Sequence, residues 1–71
     1  MRLELSDKGN SQDSKNFNVV SIHGAILANV FAFRDGDSVS FTIKFLHTGY
    51  DSSSLAELVQ VLKELPNYFR E

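Results

Sequence analysis

Hydrophobic positions between Ala25 and Leu46 follow two different rules. Ala25 to Phe33 (AILANVFAF) is apolar everywhere except Asn29, whereas Ser38 to Leu46 (SVSFTIKFL) alternates and keeps one polar face. An antiparallel strand with one wet side should alternate, while a strand covered on both sides need not. The pattern therefore predicts two strands and asks for cover on both faces of the first. A chain of 71 residues has little with which to supply it.

Asp35-Gly36 between the two runs predicts a β-hairpin. Its register has two readings. A two-residue Asp35-Gly36 turn sets Ala28, Val30 and Ala32 across from Ile43, Phe41 and Val39. A three-residue loop, with Gly36 as a left-handed bulge, aligns Leu27, Asn29 and Phe31 with them instead. One residue of slip exchanges the faces. The three-residue loop is preferred because it joins the two faces with the larger side chains.

Upstream, RLEL (Arg2 to Leu5) alternates and is short, which suits an edge strand. Asp7 to Asn16 (DKGNSQDSKN) has no apolar side chain and predicts an exposed, flexible loop. Phe17 to His23 (FNVVSIH) predicts another strand, with Gly24 free to turn or bulge. Downstream, His47 to Ser53 connects to a helix. Ser54-Leu55-Ala56-Glu57 fits a capping box, and Leu55, Leu58, Val59, Leu62 and Leu65 form one apolar stripe. Pro66 should stop that helix or restart it as a further turn. The expected fold is α+β: an antiparallel sheet of three to four strands with one C-terminal helix on one face, in the order β-β-β-β-α.

Length bounds this plan to a single domain, residues 1–71, at the small end of what folds alone, so a partner or a second copy is a natural supplement. The chain has no cysteine and two histidines, which removes disulfides and makes a structural zinc site a poor fit. No cofactor is expected. The first residues lack the apolar core of a signal peptide, and the longest apolar run is far below the ~20 residues of a membrane span. The expectation is a soluble, cytoplasmic protein with no membrane contact. Seven basic and nine acidic residues give a net charge of −2, without the basic footprint of a nucleic-acid binder.

Few residues suggest chemistry. His23 and His47 sit at predicted strand ends, where a catalytic pair would need mutual reach and a dry pocket. Tyr50, Asp51 and the serines after them could present helix N–H groups to an anion, but the Asp51 charge favours simple capping. Phe31, Phe33, Phe41 and Phe45, beside Arg34 and Lys44, raise base stacking on a sheet. Their positions read better as core under the helix. Asp35, Asp37 and Asp51 could gather into an acidic patch. Tyr68, Phe69 and Arg70 either complete the core or stand out as anchors, since tyrosine and arginine dominate many interfaces.

No nucleophile–base pair, phosphate loop or carboxylate pair appears, so the chain is read as not an enzyme. In size, cysteine-free composition and sheet-plus-helix plan it resembles small phage or mobile-element proteins that disable host machinery, anti-CRISPR proteins among them. That resemblance implies an inhibitor of a larger host protein or complex. The function expected is a protein-binding module, with a small dimeric nucleic-acid-binding regulator as the alternative. Val30, Phe31, Phe33, Arg34, Asp35, Asp37, Tyr50, Tyr68, Phe69 and Arg70 are the candidate contact residues, and a second copy of the chain is the other partner considered.

Overall fold

The computed structural model describes residues 1–47 and 49–70. Four strands, β1 (Arg2–Leu5), β2 (Ser14–Val20), β3 (Ile26–Asp35) and β4 (Ser38–Phe45), form one antiparallel sheet in the order β1-β2-β3-β4. Helix α1 (Ser52–Leu62) follows, and a 3-10 turn (Leu65–Phe69) closes the described chain. This is the α+β plan expected, with four strands rather than three. Each strand lies beside its neighbour in sequence, so no connection has to cross the sheet.

The β3–β4 hairpin corrects the preferred register. Asp35 pairs with Ser38, Ala32 with Phe41, Val30 with Ile43 and Ala28 with Phe45. The turn is therefore two residues long, but over Gly36-Asp37 instead of Asp35-Gly36. Gly36 has φ 65° and no other residue of the turn is positive. Glycine first and a negative φ second is the pattern of a type II′ turn, whose twist suits adjoining strands. Residue for residue, neither sequence register holds, although the two-residue alternative did put the correct faces together.

Core residues then follow from alternation. Phe17 and Val19 on β2, Ala28, Val30 and Ala32 on β3, and Leu3 on β1 are buried on one face. Leu58, Val61, Leu65 and Phe69 cover them from above. The stripe expected at Leu55, Leu58, Val59, Leu62 and Leu65 is thus rotated. Leu55 and Val59 are exposed, Leu62 is half-buried, and Val61 takes a place in the core. The cap is corrected as well. Asp51, not Ser54, is the N-cap, and its Oδ1 accepts the Ser54 N–H at 2.7 Å. Starting the helix three residues earlier adds most of a turn. The 3-10 turn begins next to Pro66, so the proline restarts the chain.

Two connections differ from expectation. Ser21 ends β2 because its Oγ accepts the N–H groups of His23 and Ala25, at 3.2 and 3.1 Å. Its own N–H donates to the Ala25 carbonyl at 2.9 Å, so Ser21 to Ala25 is a turn rather than strand. The polar segment is shorter than expected, since Ser14, Lys15 and Asn16 belong to β2. What remains is tied down by side chains. Asn16 donates its N–H to Asn10 Oδ1 at 2.8 Å and its Nδ2–H to the Gly9 carbonyl at 2.9 Å, while Asn10 Nδ2 donates to the Ser6 carbonyl. Gly9 is required there: φ is 77°, and a methyl group would come within 2.6 Å of Asn16 Nδ2.

Candidate interaction surfaces

Alternation that sends Ala28, Val30 and Ala32 into the core sends Asn29, Phe31 and Phe33 to the opposite face of the sheet. Phe31 is 41% exposed and Phe33 38%, with ring centroids 6.1 Å apart. The strand register sets polar rows around them. Asn16 and Thr42 flank Phe31, Ser14 and Ser40 flank Phe33, and Asn18 and Lys44 flank Asn29. Beside Phe31 the surface dips into an open cavity of about 370 Å³, whose lining includes Lys8, Asn16, Asn18, Asn29, Phe31 and Lys44. Two aromatic rings, an amide ladder and two ammonium groups thus share one helix-free face. Such a face can bury apolar area and orient a partner by hydrogen bonds.

This overturns one expectation. Phe31 and Phe33 are not core under the helix. Phe41 and Phe45 do lie on the helix side, opposite Ala32 and Ala28, yet they remain 46% and 49% exposed at the outer strand. Phe45 meets Tyr50 edge-on at 5.5 Å, and His47 meets the same ring at 5.8 Å. The Tyr50 hydroxyl donates to the Leu27 carbonyl at 3.3 Å, which fixes this small aromatic group against β3.

The remaining contact candidates scatter. Val30 and Phe69 lie in the core. Arg34 is an internal tie: Nη1 donates to the Phe69 carbonyl at 2.9 Å, and Nη2 and Nε donate to Asp13 Oδ1 at 2.9 and 3.3 Å. Tyr68 packs edge-on against Phe17 at 4.8 Å and keeps its outer part in solvent. Arg70 is exposed beyond the 3-10 turn, and Asp35 and Asp37 are exposed at the hairpin tip. Asp51 is at the far end of the sheet from that tip, so the three aspartates form no common patch. The hydrogen bonds from Ser54 hold the Asp51 carboxyl below its ordinary pKa, in keeping with capping. His23 lies in the β2–β3 turn and His47 follows β4, with β3 between them.

Sequence reasoning placed Thr42 on the face away from the helix but missed Lys8, Asn16, Asn18 and Asn29 around it. The available signal was Ala28 and Ala32 on either side of Val30. Small residues at alternate positions mark the side on which a helix approaches, which leaves Phe31 and Phe33 outside. Among the described residues no cluster of three histidine or carboxylate side chains could hold a metal ion, and no helix is long and apolar enough to cross a membrane. No family model, curated protein or solved structure matches the chain.

Proposed function

We propose that this chain is a non-enzymatic protein-binding module that docks through the helix-free face of its sheet. The observation that carries the reading is the adjacent, exposed Phe31–Phe33 pair, flanked on both neighbouring strands by polar side chains. Large aromatic side chains exposed together cost solubility, and aromatic residues, phenylalanine included, are enriched at interfaces. Asn16, Asn18, Thr42 and Lys44 provide the polar rim. Occupying a surface of a larger protein is all such a module needs to do. Blocking a host complex, as in the phage proteins it resembles in plan, is one form this would take.

The test is a double substitution, Phe31→Ser with Phe33→Ser, compared with the unaltered chain for binding to proteins captured from its source cell. We expect a partner held by the unaltered chain to be lost, by about a hundredfold or more in affinity, while circular dichroism stays the same. A partner retained equally by both chains refutes the reading. Lys8 and Lys44 beside Phe31 favour a second reading, single-stranded nucleic acid stacked on the two rings. Titration with an oligonucleotide at low salt separates the two. Binding that is lost in Lys44→Glu and weakens steeply with salt selects the second.

A further inference from the structure

The two outer strands of the sheet are built differently. β1 has four residues and carries the exposed Arg2–Glu4 ion pair at 2.7 Å. β4 has eight, without proline or bulge, and all four of its helix-side residues are apolar: Val39, Phe41, Ile43 and Phe45. Long, regular, apolar outer strands are what soluble proteins ordinarily avoid.

The phase of the ladder decides which backbone groups face outward. Residues flanking a two-residue turn exchange hydrogen bonds, so Asp35 pairs inward with Ser38. The Leu46 N–H donating to the Leu27 carbonyl at 2.9 Å keeps the same phase at the other end. The even-numbered residues of β4 therefore bond to β3. The N–H and C=O groups of Val39, Phe41, Ile43 and Phe45 point away from the sheet. Side chains and free backbone groups thus fall on the same four residues.

We infer that β4 pairs antiparallel with β4 of a second copy, about a two-fold axis at Thr42. That register sets Val39 opposite Phe45 and Phe41 opposite Ile43, and each pairing occurs twice, as a symmetric interface demands. It uses all four outward residues. Shifting the axis to Phe41 leaves Phe45 facing the acidic hairpin tip, and shifting it to Ile43 leaves Val39 facing His47. Charge agrees with the centred register. Lys44 faces Ser40 rather than its own copy, and just past each end Asp37 meets His47. Every exposed phenylalanine of β4 gains an apolar neighbour across the new seam.

The register can be read directly, because the chain has no cysteine of its own. In the inferred dimer Thr42 and its copy form a non-hydrogen-bonded pair with Cα atoms about 4.5 Å apart, within disulfide range. Ser40 and its copy are four residues out of line, roughly 13 Å apart. Under mild oxidation Thr42→Cys should form a covalent dimer and Ser40→Cys should not. Sedimentation of the unaltered chain should give twice the monomer mass. Phe41→Pro removes an outward N–H and a seam ring without taking a β3–β4 hydrogen bond, and should weaken association at least about tenfold. If that variant does not fold, the two cysteine variants still decide. The Phe31→Ser, Phe33→Ser chain should dimerise normally, which separates this inference from the docking face. A strict monomer at millimolar concentration overturns it, and so does equal cross-linking at positions 40 and 42.

Discussion

Arg34 ties together segments that are far apart in sequence. It joins the polar loop through Asp13 to the carboxyl-terminal turn through the Phe69 carbonyl, with β3 as the fixed point between. Its side chain is about one quarter exposed, so water screens only part of each interaction. Arg34→Ala should lower unfolding free energy by about 1–2 kcal/mol in urea titrations. Arg34→Lys should recover little, because an ammonium group cannot span both acceptors in a planar fork. Arg2→Ala provides the contrast. Both partners are about half exposed, and the change should stay within about 0.5 kcal/mol. Composition alone marked Arg34 as a contact residue, since nothing local distinguishes a guanidinium that closes the fold from one that meets a partner. The difference depends on Asp13 and Phe69, which are distant in sequence.

Elements were more legible than their ends. The hairpin, the short outer strand and the helix all follow from period and turn residues, and they appear where periodicity puts them. Boundaries moved wherever a polar side chain competed for backbone groups. Ser21 truncated β2, Asn10 and Asn16 organised the loop, and Asp51 started the helix before Ser54. Periodicity carries no record of these bonds. Two expectations belong at this scale. Gly36→Ala should cost about 1 kcal/mol, since φ 65° strains any residue with a Cβ, and Gly36→Asn should cost less, by the same urea titration. The Asp51 carboxyl has a pKa lowered by folding, so it binds protons more weakly in the native state than in the unfolded one. Its contribution is complete above the ordinary carboxylate range and is lost as pH falls through that range and past the lowered native value. Thermal unfolding followed from pH 6 to pH 2 should show this loss in the unaltered chain. It should be smaller in Asp51→Asn, which keeps the cap without the titration.

At the scale of the whole molecule, β3 has two apolar sides and the sheet a single helix to cover one of them. The doubly apolar run from Ala25 to Phe33 announced this, but could not say which side the helix would choose. Ala28, Val30 and Ala32 form its floor, and Phe31 and Phe33 are left to solvent. Neighbours in sequence should therefore respond oppositely to truncation. Val30→Ala should cost about 2 kcal/mol, from two buried methyl groups and the space they leave. Phe31→Ala should cost little stability, and chemical denaturation of the pair tests the face assignment directly. Two copies joined at β4 would present their Phe31 side chains on the same face, three strand spacings apart across the axis, or about 14 Å. A partner could then be gripped at two equivalent points.

The short strand β1 has a consequence of its own. A sheet that recruits copies of itself through its open edges can grow without limit, and fibres arise in that way. Joining through β4 would consume the long edge of each copy and leave β1 at both margins of an eight-stranded sheet. Four residues bearing an Arg2–Glu4 ion pair offer a poor template for another strand. Growth should end at two. In the inferred dimer the most modest element of the chain would be its terminator, the piece that makes a finite assembly out of an extensible one.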